Sequence, residues 1–208
     1  MQRIDREFVR SVMPVRDPAG HKGTFGKVYL LGGSVGYTGA PVLCAAGAVR
    51  SGCGLVLLGV PEAVWPIAAG KCLCAMPHPL PEQEGRLSPD AETEIRRRMA
   101  GCDAAAIGCG LGRSEGSDAL VRSLLTAELP LVLDADGINA LAGHIDTLSC
   151  RRERITVLTP HDGELARVGG DMAAPRETAA AAFAAAHGVY LIRKGCRTVV
   201  AAPDGRLA

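Results

Sequence analysis

Several polar or glycine-rich segments of this sequence directly follow short apolar segments, and they contain residue types that can bind or transform a ligand. These segments are residues 32–40, 107–112, 134–139, 158–164 and 193–198. Short apolar segments bounded by turn residues are typical of buried parallel strands. In open α/β sheets, ligands bind at the carboxyl ends of the strands. The sequence therefore predicts that the five segments line one ligand cleft.

Two of these segments are rich in glycine: Gly-Gly-Ser-Val-Gly-Tyr-Thr-Gly-Ala at residues 32–40 and Ile-Gly-Cys-Gly-Leu-Gly at residues 107–112. Glycine lets backbone amides approach a ligand closely, and the N-terminus of a following helix favours anions. The first segment is neither the Gly-x-Gly-x-x-Gly motif nor a P-loop. Each segment alone is also compatible with a plain tight turn. Two of them at strand ends favour a shared ligand cleft.

The third segment, Asp-Ala-Asp-Gly-Ile-Asn, places Asp134, Asp136 and Asn139 at one strand end. Such a group can orient a ligand hydroxyl, hold a hydrated magnesium ion or cap the following helix. Magnesium is usually held through one or two carboxylates together with phosphates. Capping of a helix does not require both acids. We therefore favour a role in the ligand site.

The last two segments supply a histidine and a lysine. His161 in Leu-Thr-Pro-His-Asp-Gly-Glu can hydrogen-bond a polar ligand or hold local structure. Lys194 in Arg-Lys-Gly-Cys-Arg-Thr suits a nucleotide phosphate, and the same residues are equally typical of a β-turn with solvated charges. No nucleophile elbow or Ser-His-Asp order is evident. The residues thus predict a polar, glycine-lined cleft suited to a nucleotide or another anion.

The elements that position these residues alternate between short strands and helices. Strands are predicted at residues 28–32, 55–60, 104–108, 131–133, 155–158, 189–192 and 198–201. Helices are predicted at residues 5–12, 40–50, 90–100, 117–126, 137–141, 163–168 and 176–186. The proline-rich stretch 61–89 is predicted to be mostly irregular. This alternation predicts an α/β fold with a parallel sheet covered on both faces.

Composition excludes several classes of protein. The chain has 208 residues, of which 48% are hydrophobic and 3% aromatic, and a net charge of +1. These values argue against disorder, nucleic-acid binding and attraction to an anionic membrane. The N-terminus lacks the apolar core of a signal peptide, and no apolar stretch is long enough to span a bilayer. A nucleic acid or membrane partner is therefore not expected.

The eight cysteines are scattered, which indicates reduced thiols and a cytoplasmic protein rather than a disulfide framework. Cys72 and Cys74 are separated by one residue, whereas zinc ligands are usually separated by two to four. We therefore assign no residue as a metal ligand.

Six segments, taken in order, resemble the dehydratase domain of NAD(P)H-hydrate repair enzymes. They are His-Lys-Gly-Thr-Phe-Gly at 21–26, Gly-Gly-Ser to Thr-Gly-Ala at 32–40, Ile-Gly-x-Gly-Leu-Gly at 107–112, Asp-Ala-Asp-x-x-Asn at 134–139, Leu-Thr-Pro-His-x-Gly-Glu at 158–164 and Lys-Gly-x-x-Thr at 194–198. Each match is weak singly, but the ordered set is specific.

The resemblance implies a ribokinase-like, three-layer α/β/α fold with a mostly parallel central sheet. One such domain would occupy residues 1–208, with residues 1–20 as a lead-in. The implied activity is dehydration of hydrated NADH or NADPH to NAD(P)H, with ADP or ATP as co-substrate and Mg²⁺ as cofactor. The resemblance also implies a homo-oligomer.

The resemblance further implies roles for individual residues. Ala40, Gly110 and His161 would contact the hydrated cofactor, and Asp134, Asp136 and Asn139 would shape the substrate-binding centre. The adenine nucleotide would be contacted by Lys194, Gly195, Cys196, Arg197 and Thr198.

One feature of the family is missing from these 208 residues. Family members carry a Gly-x-Gly-Asp motif, whose aspartate activates the substrate hydroxyl, and no such motif occurs here. We therefore leave the catalytic residue unassigned and expect the C-terminal part of the fold to be absent. Two alternatives stay open: a sugar or vitamin kinase of the same superfamily, and a nucleotide-binding protein without catalysis.

Overall fold

The computed structural model describes residues 2–208. The strands are β1 Lys27–Leu31, β2 Leu55–Pro61, β3 Met76–Leu80, β4 Glu82–Gln83, β5 Arg86–Leu87, β6 Ala104–Ile107, β7 Leu131–Leu133, β8 Thr156–Leu158, β9 Tyr190–Arg193 and β10 Val199–Ala201. The α-helices are α1 Arg6–Val12, α2 Gly39–Arg50, α3 Trp65–Lys71, α4 Glu92–Met99, α5 Glu115–Leu124, α6 Asp136–Asn139, α7 Asp162–Arg167 and α8 Arg176–His187. None of the helices described is both long and apolar enough to cross a bilayer.

Eight strands form one sheet in the order β10-β9-β8-β7-β6-β1-β2-β3. All neighbouring pairs are parallel except β9 and β10, which are antiparallel. The short strands β4 and β5 pair only with each other, as a separate hairpin. The predicted α/β fold with a mostly parallel sheet is confirmed.

Two apolar cores lie on opposite faces of the sheet. In the smaller core, Leu30 and Val56 of the sheet pack with Ala45 of α2 and Ala68 of α3. Tyr29 belongs to the larger core, because successive residues of a strand face opposite sides. The helical residues of this larger core include Ile95, Leu120, Leu165 and Phe183, from α4, α5, α7 and α8. Helices therefore cover both faces, which gives the predicted three layers.

The face covered by α2 and α3 continues across the other strands. The register joins Leu30 to Ala106, Ala106 to Val132 and Val132 to Val157, so these residues share that face. Val132 and Val157 are only partly buried, whereas Leu30 is 3% exposed. This face of the sheet is therefore better covered at β1 and β2 than at β7 and β8.

The prediction of an irregular stretch at residues 61–89 is wrong. The structure contains α3, β3 and the β4–β5 hairpin there. Strand β3 has the sequence Met-Pro-His-Pro-Leu, and its prolines cannot donate backbone hydrogen bonds. An edge strand tolerates proline because one of its sides needs no ladder partner, and β3 is the last strand of the sheet. The prolines and the weak periodicity of this stretch therefore misled the prediction.

The other predicted elements are confirmed, with bounds that shift by one or two residues at most ends. The structure adds a 3-10 helix at Ile145–Arg151 that the sequence did not predict. This helix ends at Arg151, which is 1% exposed.

The segment 21–26, which contributed to the family resemblance, immediately precedes β1 and packs at the beginning of β2. A side chain at Gly54 would overlap the carbonyl oxygen of Lys22, so this glycine permits the close approach. Arg16 of the lead-in stacks over Phe25, 3.7 Å from the ring centre. The segment thus lies at the amino ends of the strands, opposite the predicted cleft.

A buried polar pair crosses the sheet within the larger core. The Tyr29 hydroxyl on β1 lies 3.1 Å from Nε2 of His78 on β3. Gly59 on the intervening β2 makes this possible, because a Cβ there would lie 2.5 Å from the Tyr29 hydroxyl. Burial, followed by the charge of Arg98, lowers the pKa of His78 to about 4. His78 is thus neutral in the folded protein at pH 7.

Because of the buried Tyr29–His78 pair, we expect the protein to lose stability in mild acid. The folded pKa of His78 is below its unfolded value, so the unfolded chain binds more protons as the pH falls from about 6.5 to about 4. The free energy of unfolding should fall by about 3 kcal/mol over this range through His78 alone. Denaturant titrations of the wild type and His78→Asn at pH 7 and pH 4 measure how much the free energy of unfolding falls in acid. An equal fall in both proteins would contradict the prediction.

Candidate functional site

The five segments predicted from the sequence follow β1, β6, β7, β8 and β9, five consecutive strands of the sheet. These strands are parallel, so their carboxyl ends lie along one edge. The structure therefore brings all five segments to the same edge of the sheet.

The two glycine-rich loops are hydrogen-bonded to each other. The amide of Gly33 donates to the Cys109 carbonyl at 3.0 Å, and Ser34 Oγ donates to the Gly110 carbonyl at 2.9 Å. A Cβ at Gly110 would lie 2.8 Å from the Ala40 Cβ, so these two predicted residues are neighbours. Thr38, which precedes α2, makes no side-chain cap. The amides of Gly39 and Ala40 at the start of this helix are therefore available to an anion, whereas Pro41 has no amide hydrogen.

Gly108 brings the second glycine-rich loop against the acidic segment. Its φ is +135°, a conformation that only glycine adopts readily. A Cβ there would overlap the Asp134 carbonyl oxygen and lie 2.7 Å from the Gly137 amide nitrogen. The two backbones can approach this closely only because residue 108 is glycine.

Asp134 lies at the centre of the site. Its Oδ1 accepts hydrogen bonds from Lys194 Nζ at 2.8 Å and from Thr159 Oγ1 at 2.5 Å. The Cys109 thiol lies 3.5 Å from Oδ2. Burial alone would raise the pKa of Asp134, but the hydrogen bonds from Lys194 and Thr159 outweigh it and lower that pKa. Asp134 is therefore a carboxylate whose charge is balanced by Lys194.

Asp136 joins the acidic segment to the second glycine-rich loop. Its Oδ2 accepts from the Gly112 amide at 3.0 Å, and its Oδ1 accepts from Asn139 Nδ2 at 3.1 Å. Asn139 in turn accepts from Arg167 Nη1 at 2.8 Å. Asp136 thus holds a loop rather than capping its own helix.

Ala135, between the two acids, has a φ of 49°. A left-handed conformation is costly for a residue with a Cβ, and such strain occurs mainly at functional sites. Ala135 lies between Asp134, which accepts from Lys194 and Thr159, and Asp136, which accepts from Gly112.

His161 is the N-cap of α7. Its Nδ1 accepts hydrogen bonds from the amides of Gly163 at 3.0 Å and Glu164 at 3.3 Å, so this nitrogen carries no proton. Its Nε2 lies 3.3 Å from Glu164 Oε1, and the side chain of His161 is 54% exposed. His161 therefore holds local structure by capping α7, which is one of the two roles considered from the sequence. Its exposed imidazole is also accessible to a ligand.

The turn between β9 and β10 carries the predicted nucleotide-binding residues. The Lys194 amide donates to the Pro160 carbonyl at 2.8 Å, which ties this turn to the segment holding His161. Lys194 Nζ also lies 3.9 Å from Glu164 Oε2. The four residues that follow Lys194 are exposed: Gly195, Cys196, Arg197 and Thr198.

Arg176, which lies outside the five predicted site segments, supports this turn. Its guanidinium donates to the carbonyls of Lys194 at 2.6 Å, Arg193 at 3.1 Å and Arg197 at 3.0 Å. It also forms an ion pair with Asp162 at 2.9 Å. No local pattern marks this arginine, because its partners come from distant parts of the chain.

The described part of the chain contains no group of three or more His, Cys, Asp or Glu side chains that could hold a metal ion. The Asp136 oxygens accept hydrogen bonds from Gly112 and Asn139, and Oδ1 of Asp134 accepts from Lys194. Among the four carboxylate oxygens of Asp134 and Asp136, only Oδ2 of Asp134 accepts no hydrogen bond from a nitrogen or hydroxyl group of the described residues. Its one donor there is the thiol of Cys109. Magnesium needs few protein ligands when phosphates supply the others, so this single carboxylate oxygen fits such an ion.

Comparison with known proteins identifies a family. Residues 28–208 match the sequence model of the family described as NAD(P)H-hydrate dehydratase. The bifunctional NAD(P)H-hydrate repair enzyme of Moorella thermoacetica is 43% identical over 206 residues, which cover 96% of this chain and 39% of that protein. The corresponding enzyme of Salinibacter ruber is 41% identical, over 95% of this chain and 38% of its own length. The chain thus spans less than half the length of these two curated relatives.

A solved structure agrees with the sequence relatives. The ADP/ATP-dependent NAD(P)H-hydrate dehydratase of Bacillus subtilis, co-crystallised with ATP and Mg²⁺, superposes with a TM-score of 0.76 at 33% identity. The superposition covers 97% of this chain and 69% of that one. A ribokinase-like protein of Enterococcus faecalis superposes with a TM-score of 0.82 at 20% identity, which supports the fold alone. On the match over residues 28–208, this chain belongs to the NAD(P)H-hydrate dehydratase family.

Proposed function

We propose that this chain takes part in the nucleotide-dependent dehydration of hydrated NADH and NADPH back to NAD(P)H. The observation that carries the proposal is the ion pair between Lys194 and Asp134, at 2.8 Å. It joins the turn at residues 194–198, proposed for the adenine nucleotide, to the acidic segment at residues 134–139, proposed for the substrate. Membership of the family supplies the reaction class.

The order of the strands suggests how two ligands share the cleft. Ala40 and Gly110 follow β1 and β6, whereas Lys194 to Thr198 follow β9. Strands β7 and β8 lie between these two groups, and Asp134 and His161 follow them. We place the hydrated dinucleotide at the β1 and β6 end, the adenine nucleotide at the β9 end, and the reacting groups near Asp134.

The proposed reaction has two steps. The terminal phosphorus of the nucleotide bonds to the ring hydroxyl oxygen, the hydroxyl proton passes to a base, and the shortened nucleotide leaves. The carbon–oxygen bond then breaks, phosphate departs with the electron pair, and loss of the neighbouring proton restores the double bond. Phosphate is a better leaving group than hydroxide, which explains the use of a nucleotide.

The residues of this chain contribute positioning and charge to the first step, which is what phosphoryl transfer chiefly requires. We propose that Lys194 neutralises charge on the transferred phosphoryl group and that Asp134 orients Lys194. His161 would hydrogen-bond the hydrated cofactor, while Asp136 and Asn139 would hold the loops in place. The base is left unassigned.

We also propose that Mg²⁺ enters with the nucleotide, held by its phosphates and by Asp134. When bound, it would neutralise phosphate charge.

The test is an optical assay with acid-hydrated NADH, Mg²⁺ and ADP or ATP, in parallel with calorimetric titration of ADP. Recovery of reduced-nicotinamide absorbance that requires nucleotide supports the proposal. Stoichiometric accumulation of a phosphorylated product without recovery would instead indicate a small-molecule kinase. Binding of ADP without turnover of any kind would indicate a nucleotide-binding protein without catalysis.

We expect Lys194→Met to lower the rate of dehydration about 100-fold. The substitution keeps the length of the side chain but removes the one cation that contacts Asp134 among the described residues. Loss of a positioned donor to a developing charge typically costs a factor of this size. The measurement is kcat in the optical assay, with Lys71→Met in the last turn of α3 as the matched control. A similar kcat for both variants would remove Lys194 from the site.

We propose that residues 1–208 act as one domain with residues 1–20 as a lead-in, that the protein works in the cytoplasm, and that it forms a homo-oligomer. The free thiols of all eight cysteines suit a reducing compartment. Native mass spectrometry measures the number of chains directly.

A further inference from the structure

The β4–β5 hairpin is fixed against the first glycine-rich loop. Its two turn residues, Glu84 and Gly85, have φ values of 51° and 73°, as tight hairpin turns require. The Gly85 carbonyl accepts from the Val35 amide at 2.9 Å. A side chain at position 85 would collide with that of Val35, so the contact is close. The hairpin therefore has a defined position beside the first glycine-rich loop.

Arg86 of this hairpin extends between the two glycine-rich loops. A Cβ at Gly112 would lie 3.1 Å from Arg86 Nε and 2.9 Å from Ser34 Oγ. Within the described chain, Nε of Arg86 is buried and has no hydrogen-bond partner. Its Nη1 makes only a long contact, 3.4 Å, to the Glu84 carbonyl. The guanidinium is thus held in place by packing, with most of its donors unused.

Several other cations near the carboxyl ends of the strands are paired with carboxylates. Lys194 pairs with Asp134, Arg176 and Arg193 pair with Asp162, and Arg113 pairs with Asp118. Among residues 2–208, no carboxylate forms an ion pair with Arg86. A buried donor without a partner costs free energy. An anionic ligand in the cleft would supply the missing acceptor and charge.

We propose that Arg86 binds a phosphate group of the dinucleotide substrate, beside the amides at the start of α2. This inference rests on the proposed function and adds a binding residue to it. Phosphate matches a guanidinium because its oxygens accept parallel hydrogen bonds from the planar fork.

The position of Arg86 favours the dinucleotide over the co-substrate. Arg86 touches the loops that follow β1 and β6, whereas the turn at Lys194 follows β9. Strands β6 and β9 are three spacings apart in the sheet, or roughly 14 Å. Arg86 therefore contacts the end of the cleft assigned to the dinucleotide.

The test compares Arg86→Met with the control Arg113→Met, which removes an arginine that is 49% exposed and paired with Asp118. Calorimetry measures Kd for NADPH and for ADP, and the optical assay measures KM and kcat for hydrated NADPH. We expect Arg86→Met to weaken NADPH binding and raise KM about 10-fold or more, as loss of a charge-assisted hydrogen bond does. The Kd for ADP and kcat should change less than about twofold, and Arg113→Met should behave as the wild type.

Arg86→Gln, which keeps a donor at this position, replaces Arg86→Met if the latter fails to fold. An unchanged NADPH Kd in a folded variant, with binding intact in the wild type, would overturn the role of Arg86 alone. Equal weakening of NADPH and ADP would also overturn it, because the effect would then be on the fold or on the nucleotide end. A wild type that neither binds NADPH nor converts its hydrate would overturn the proposed function and this inference together.

Discussion

Arg151→Met is expected to lower the free energy of unfolding by about 4 kcal/mol. Arg151 is 1% exposed and donates to the carbonyls of Leu125 at 2.8 Å, Ala127 at 2.6 Å and Leu129 at 2.8 Å. It also donates to Thr156 Oγ1 at 2.8 Å. Methionine fills much of the volume but donates nothing, so several acceptors lose their partner. Each unsatisfied buried group costs about 1–3 kcal/mol.

Denaturant titration measures this loss, and Arg154→Met is the matched control. Arg154 pairs with Glu128, whose side chain is 87% exposed, so its loss should cost less than about 1 kcal/mol. A cost for Arg151→Met as small as that of the control would mean that the three carbonyls find other donors. The role assigned to Arg151, which is to donate hydrogen bonds to the backbone carbonyls that follow α5, would then be wrong.

Gly108→Ala is expected to destabilise the fold by about 4 kcal/mol and to abolish the proposed dehydration. Alanine at a φ of +135° is strained, and its Cβ would overlap the Asp134 carbonyl oxygen. Backbone strain of this kind costs about 1–3 kcal/mol, and overpacking adds a similar amount. The clash would push the second glycine-rich loop away from Asp134 and so separate Gly110 from the acidic centre.

Gly143→Ala is the control that separates the cost of backbone strain from the cost of steric overlap. Gly143 also has a positive φ, +75°, but nothing lies within 4 Å of a Cβ built there. Its cost should be limited to about 1 kcal/mol of backbone strain, with activity retained. Thermal unfolding and the optical assay on both variants provide the comparison. Equal losses of stability in the two variants would show that backbone strain, and not the approach of the two loops, is what matters at Gly108.

Much of the site was predictable because its residues are grouped in short segments. The glycines of 32–40 and 107–112, the acids of 134–139 and the turn at 194–198 each follow a short apolar strand. In a parallel sheet these strand ends must lie along one edge, so the shared position of the segments followed from the pattern alone, and a ligand cleft there stays a prediction. The family resemblance added a reaction class, which no local pattern supplies.

Other features were not predictable from local sequence. Strand β3 contains two prolines and is possible only at the edge of the sheet, a position that no residue of the strand itself indicates. Arg176 and Arg86 look like ordinary surface arginines in the sequence. The partners of Arg176 are remote in the chain, and the buried Nε of Arg86 has no partner among the described residues, so only the folded structure distinguishes them.

The sequence by itself determined the α/β alternation, the identity of the glycine-rich loops and the residue types at the carboxyl ends of the strands. Hydrophobic periodicity and glycine content act over a few residues, so they can be read along the chain. Only the tertiary structure decided that Lys194 contacts Asp134, that Asp136 holds Gly112, and that the guanidinium of Arg86 has no carboxylate partner within the described chain. These pairings depend on the order of the strands, because hydrogen bonds and ion pairs form between neighbours in space, whatever their separation in sequence.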